Sequence, residues 1–405
     1  MTTGQPSCPH QTNLRSLANL DPYPAYRRAA QEAPVHWDDS MGGWVVFGFD
    51  ACSAVLKDEP DFVMPWTAFE GGQEALGRYG IFNLTGEAHA RAHKELLDFF
   101  NPRKSPQLQA TVERLVEDSF ARVKELGQAD FIDAVARRVP GLMALAFLGV
   151  PQDEDVLETV HHANTKLQNY MTSFGDDPQA LAELQAVQDG LAELWGPSIE
   201  ARRRRREPDL ISRLLDQQES LADWAPRELI SQCLFYFGAS FGNTANAIAN
   251  AAYMLAVDDR WLPGLRRRPQ TVPVFVDEVL RVWGSVQFRI RIATRDTEIA
   301  GQPVGKGDRV IAVVGGANRD NRQFRNADDI DLDRAGTRRH LTFGVGARYC
   351  VGATLARLEA EQVVRALVSG AGELTLSTSA EAGSTFAGLN YRLWEPLTVL
   401  YSVPS

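Results

Sequence analysis

The sequence predicts a mainly α-helical domain with a small β region, and three observations carry that prediction. Residues 228–257 form an unbroken helix-compatible stretch, which at 1.5 Å per residue is about 45 Å of helix, enough to run through a whole domain. Residues 107–220 read as successive amphipathic helices, interrupted at Gly127, Gly149-Val150-Pro151, Gly175-Asp176-Asp177-Pro178 and Pro208. Strand-like alternation is confined to short runs.

Taken in order, residues 1–20 are polar and predict a mobile N-terminal segment, and residues 21–405 a single domain. An amphipathic helix follows Asp21-Pro22-Tyr23-Pro24, then two short strands, Val35-His36-Trp37 and Trp44-Val45-Val46-Phe47, joined through Met41-Gly42-Gly43. The stretch from Phe62 to Asn83 is loop-like yet rich in large apolar side chains: Phe62, Met64, Trp66, Phe69 and Phe82. In the helix that follows, His89 and His93 are one turn apart and point the same way. The arginine run from Arg202 to Arg206 reads as a solvated helix end.

In the long helix, Tyr236, Ser240 and Thr244 recur every four residues and share a face, while Gly238, Ala239, Ser240 and Gly242 leave room for a flat ligand beside it. Glu278 and Arg281 share a face of the helical stretch from Val274 to Trp283. Val286 to Ala293 alternates as a strand, with Arg289 and Arg291 on one side.

Composition excludes several classes. A hydrophobic share of 44% and a charged share of 23% describe a globular protein with a large core. A net charge of −10 argues against a nucleic-acid partner. No apolar run reaches bilayer length and the start lacks signal-peptide regions, so the expectation is a cytoplasmic protein without a membrane partner. Cys8, Cys52, Cys233 and Cys350 are scattered and read as reduced thiols.

Chemistry concentrates in the segment His340 to Gly352. Gly344, Gly346 and Gly352 let backbone pass close to a flat ligand, and Cys350 precedes a helical pattern with Ala353, Ala356, Ala360, Val364 and Leu367 on one face. At a helix start, unpaired N–H groups and the helix dipole favour a thiolate, which suits a sulfur held to a metal. A buried cysteine in a Gly-rich turn and a zinc ligand are the alternatives, although zinc lacks partner Cys or His residues at short spacing.

The pattern Phe-Gly-x-Gly-x-Arg-x-Cys-x-Gly, from Phe343 to Gly352, resembles the haem-binding loop of the cytochrome P450 family. The resemblance covers residues 20 to 402, with Glu278-Val279-Leu280-Arg281 and Asp331-Leu332-Asp333-Arg334 in the family's order. It implies a triangular helical domain around a buried haem b, with Cys350 as the axial thiolate and Phe343, Gly344 and Gly352 framing the cofactor. It implies that His89, Arg291 and Arg348 meet the haem propionates, with His93, where the family commonly has Arg, as a weaker fourth. It implies that Glu278, Arg281 and Arg334 form a structural ion network.

The family's Ala-Gly-x-Asp/Glu-Thr reads Ser240-Phe241-Gly242-Asn243-Thr244 here, so the catalytic alcohol Thr244 is kept while Asn243 replaces the acid. By the same resemblance Trp66, Phe69, Tyr236, Ser240, Val286, Gln287, Phe288 and Phe386 are expected to touch substrate, with Tyr170, Met171 and Phe174 as further candidates. The implied activity is oxidation of an apolar, aromatic small-molecule natural product with O2 and electrons from a separate ferredoxin-type partner. The missing acid leaves two rivals: oxidative aryl coupling of aromatic or indole substrates such as cyclic dipeptides, without oxygen insertion, and a haem sensor or carrier without turnover.

Overall fold

The computed structural model describes residues 10–18, 20–65, 76–172, 177–220, 226–370, 372–376, 385–387, 389–395 and 399–402. Its axis is the helix Pro226–Val257, against which the helices Arg138–Leu148, Glu154–Thr172, Pro178–Arg204, Leu210–Glu219 and Ala353–Ser369 pack. Apolar side chains run round most of this helix, among them Leu234, Phe237, Ile248 and Ala252, as befits a helix buried on nearly all sides.

The predicted helix breaks match the chain's turning points. Gly127 (φ 73°) ends Pro106–Leu126 and Gly149 (φ 89°) ends Arg138–Leu148, both in the left-handed region that glycine enters without a Cβ penalty. Beyond Pro208, Asp209 caps the helix Leu210–Glu219 by accepting the Ser212 N–H at 2.9 Å. The arginine run is indeed a helix end: Arg202 pairs with Asp209 at 2.7 Å and Arg206 with Asp216 at 2.7 Å.

A six-stranded sheet flanks the helical body, in the order Gln11–Thr12, Val35–Asp38, Gly43–Val46, Arg309–Ala312, Arg289–Ala293, Phe62–Val63. The predicted strand pair is antiparallel with Trp37 opposite Trp44, and Gly43–Val46 runs parallel to Arg309–Ala312 with Val46 opposite Ala312. Arg289–Ala293 closes onto this strand with Arg291 opposite Val310. Two expectations need correction. Residues 10–18, read as part of a mobile segment, are docked: Leu14 is 2% exposed, its N–H donates to Asp38 Oδ2 at 2.6 Å, and Gln11–Thr12 pairs with the sheet. The strand expected from Val286 starts only at Arg289, because Gln287 and Phe288 bond to the Asn390 carbonyl and side chain instead of to the sheet.

No helix among the described residues is long and apolar enough to cross a membrane.

Candidate active site

A cavity lies between the central helix and the Cys350 loop. One wall is the helix face bearing Tyr236, Ala239, Ser240, Asn243, Thr244 and Ala247, which follows from their spacing of three and four residues. Facing it are Phe343, Gly344, Cys350, Gly352, Leu355 and Ala356.

The loop is bent by Gly344 and Gly346, at φ 69° and 77°, and closed by the Cys350 N–H donating to the Phe343 carbonyl at 2.9 Å. Cys350 is exposed to the cavity only in part. Burial raises its thiol above the ordinary range; the N–H groups of Gly352 and Ala353 and the charges of Arg289 and Arg357 oppose that without overcoming it. The N–H groups at the helix start thus act in the expected direction, and in the bare chain burial outweighs them. The thiolate needs a cation placed against the sulfur.

At one end of the cavity stands a group of cations. Arg291 is 5% exposed, with its Nη1 donating, among the described residues, only to the neighbouring Ile290 carbonyl, and burial next to Arg289 and Arg348 pushes its guanidinium down to about 10. Arg289 projects to the same side, as the alternation predicted. His89 is 2% exposed, its Nε2 has no partner among the described residues, and burial with the nearby Arg348 charge holds its imidazole at about 4. Among the described residues these three guanidinium groups face one carboxylate, Glu59, which pairs with Arg348, so the buried Arg291 and the half-buried Arg289 are left in want of anions.

Two residues expected in this group have further partners in the chain. Arg348 lines the cavity, but its Nε donates to Glu59 at 2.7 Å, Nη1 to the Ile81 carbonyl at 2.8 Å and Nη2 to the Leu84 carbonyl at 2.7 Å. A guanidinium offers five N–H donors, so at most two are left for an anion, and its main part is to tie the Cys loop to residues 81–84. His93 does not line the cavity; its Nε2–H donates to the Tyr349 carbonyl at 2.7 Å and so braces the residue preceding Cys350. Arg91 is exposed, on a different face of the helix.

Across the cavity, Ser240 Oγ is satisfied by the Phe237 carbonyl at 2.9 Å, whereas the Thr244 hydroxyl, 4% exposed, bonds to nothing among the described residues. Asn243 Oδ1 accepts from Ser285 Oγ at 3.0 Å, and Nδ2 makes only a 3.5 Å contact with the Ala239 carbonyl. The helix is continuous here. Met64, Phe82, Phe100, Leu167, Met171 and Phe235 supply an apolar roof, with Phe82 and Phe235 edge to face at 4.7 Å.

Of the expected substrate residues, Tyr236, Ser240 and Val286 line the cavity. Gln287 and Phe288 do not. Gln287 is fully buried, donating to the Gly284 carbonyl at 2.8 Å, and Phe288 packs among Tyr23, Tyr26, Phe47 and Ile311 on the far side. The reason is that Val286 bridges to Tyr391, outside the sheet, so alternation restarts at Phe288 with Arg289 and Arg291 inward. Tyr170 is wholly buried in the core and lines no part of the cavity. Trp66, Phe69 and Phe174 lie outside the described residues; Phe386 sits in the strand Thr385–Ala387, opposite Trp394, with its side chain outside them.

Sequence reading missed Glu59, Ser285, Tyr391 and Glu359. Only Glu359 carried a signal, an acid placed nine residues past Cys350 in an apolar helix; burial pushes its carboxyl up to about 8.

Residues 270–369 match the family model described as Cytochrome P450. Cytochrome P450 monooxygenase PikC of Streptomyces venezuelae is 30% identical over 372 residues, covering 89% of this chain and 86% of that protein. The chain belongs to the cytochrome P450 family. The mycinamicin IV hydroxylase/epoxidase of Micromonospora griseorubida is 29% identical over 377 residues, covering 91% and 92%. Among solved structures, CalO2 superposes with a TM-score of 0.83 at 25% identity, covering 95% of this chain and 96% of that one.

Like its relatives, this P450 is an oxidoreductase of the monooxygenase class, and the family's cofactor is haem. Its residues suit that group: two surplus cations, Arg291 and Arg289, match two propionates, His89 Nε2 has a hydrogen-bonding position to spare, and the cysteine in the cavity wall stands between glycines.

Proposed function

We propose that this P450 inserts oxygen into an apolar, aromatic small-molecule natural product, using electrons from a separate ferredoxin-type protein. One observation carries the reading: Cys350 and the unbonded hydroxyl of Thr244 face each other across a single cavity whose remaining roof is almost wholly apolar. Relatives named as a hydroxylase/epoxidase and a monooxygenase support insertion.

When bound, haem supplies the iron that activates O2. The chain's own residues then have distinct tasks. Cys350 holds the cofactor through its sulfur, steadied by the N–H groups of Gly352 and Ala353. Arg291 and His89 anchor its carboxylates, with Arg289 beside them. Thr244 Oγ1, free of the helix backbone, hands a proton into the cavity and is resupplied from water. Ser285 fixes the Asn243 amide by its oxygen and turns Nδ2 towards such a water. An amide neither takes nor releases protons near neutral pH, so the chain of transfer runs through water or a polar group on the substrate.

The missing acid leaves a second reading, in which the enzyme couples aromatic rings by hydrogen abstraction; both oxygen atoms then leave as water, with the two abstracted hydrogens and two delivered protons. Turnover under labelled O2, with a ferredoxin and its reductase as donor and a substrate found by haem spectral shift, separates the two. Label in the product supports insertion; a coupled product free of label overturns it.

A further inference from the structure

A second cluster of donor atoms lies at the edge of the six-stranded sheet formed by Gln11–Thr12 and Val35–Asp38, and none of its members lines the haem cavity. Three segments converge there. The helix Tyr23–Glu32 ends and Pro34 turns the chain into the strand carrying His36; His10 precedes the edge strand and accepts the Trp37 N–H on its carbonyl at 3.0 Å. The His10 and His36 rings are 5.3 Å apart, and His10, Glu32 and His36 each bring a ligand-capable atom within 4.8 Å of the others.

His36 is the informative member. It is 0% exposed, and its Nε2 lies 2.9 Å from the Ala29 carbonyl and 3.0 Å from the Ala33 carbonyl. Carbonyl oxygens only accept, so Nε2 carries the proton and Nδ1 presents a bare lone pair. That Nδ1 has no partner among the described residues. A buried acceptor left so is costly, and a histidine with one N–H held by backbone carbonyls and the other nitrogen free has the tautomer and fixed ring of a metal ligand.

The geometry points to a binding site for a first-row divalent cation, zinc in the first instance, with His36 Nδ1, His10 and Glu32 as ligands and water completing the shell. Two imidazoles and a carboxylate are a donor set that zinc accepts. Tetrahedral zinc with bonds of about 2.0–2.2 Å sets its ligands about 3.3 Å apart, so the donors close by roughly 1–1.5 Å. Rotation of the exposed Glu32 and half-exposed His10 side chains supplies that, while His36 stays fixed. Bound metal ties the first docked strand to the helix and sheet and stabilises the fold by mass action.

The test uses the haem-loaded enzyme, stripped of loose metal with chelator and dialysed against micromolar zinc, beside His10→Ala and Glu32→Gln. Both substitutions change side chains that reach solvent, so the reduced carbon monoxide spectrum should match wild type. The expected result is one zinc per chain beyond that held by either variant, with affinity weakened on the order of tenfold or more in each. Zinc should raise the unfolding temperature of wild type and leave that of His10→Ala unmoved. Equal zinc content, affinity and thermal shift in wild type and His10→Ala would overturn the site and leave His36 as a helix cap alone.

Discussion

Burial makes the thiol, and not the thiolate, the easier state of Cys350 in the bare chain, so its ligand role depends on the cation it meets. Cys350→Ser should therefore abolish the red-shifted absorption of the reduced carbon monoxide complex; survival of that band would remove Cys350 from the iron. Arg291 is better placed than Arg348 to hold a propionate, because the latter is already committed to Glu59 and two carbonyls. Charge-assisted contacts are worth roughly 1.5–3 kcal/mol, so Arg291→Ala should speed haem loss to apomyoglobin by one to two orders of magnitude. Asn243→Asp tests proton delivery. If water or substrate supplies the protons, the ratio of product to electrons consumed stays level or falls, the more so because a carboxylate beside Ser285 disturbs the present amide geometry. A clear rise marks Asn243 as a poor relay and returns the enzyme to ordinary carboxylate-fed hydroxylation.

Among elements, the helix Val272–Val282 carries the ion network that braces the haem side. Glu278 Oε1 accepts from Arg281 Nε at 2.7 Å and Oε2 from Arg334 Nε at 2.9 Å, with all three side chains buried. Burial alone would raise the Glu278 carboxyl, but the two arginines and the Asp331 N–H win and hold it below its ordinary value. Removing one partner of such a group strands charge, so Glu278→Gln should cost about 3–5 kcal/mol in denaturant unfolding near pH 7. A depressed folded pKa means that this stability is fully present above the unfolded value of about 4.3 and lost as pH falls through the folded one. The gap between wild type and variant should therefore narrow only below about pH 4. A gap independent of pH down to 3 would show that the carboxylate's charge is not what matters. This network was legible from spacing and order, whereas the inward turn at Val286 was not: its bridge to Tyr391 joins residues about a hundred apart, and no local pattern records it.

For the molecule as a whole, the central helix fixes where everything else can stand. A Cβ on Gly238 would lie 1.9 Å from Asn164 Oδ1, so this glycine sets how closely the helix Glu154–Thr172 approaches. Gly238→Ala should lower stability by about 1–3 kcal/mol, read as a drop in unfolding temperature, and an unchanged temperature would mean that Asn164 swings aside freely. Helix periodicity, helix-ending glycines and the Cys loop made the architecture and both cavity walls readable from sequence. Contacts that depend on tertiary approach were hidden: Glu59 on Arg348, Ser285 on Asn243, and the docking of Leu14 through Asp38. The surplus of two cations near Arg291 also bears on how the protein is made. A chain cannot readily close around its own repulsion, so the dianionic cofactor should enter before the fold is complete and not as an addition to a finished one. Cells that synthesise the polypeptide faster than haem should accumulate protease-sensitive chains, and feeding a haem precursor should raise the folded yield more than slowing translation does.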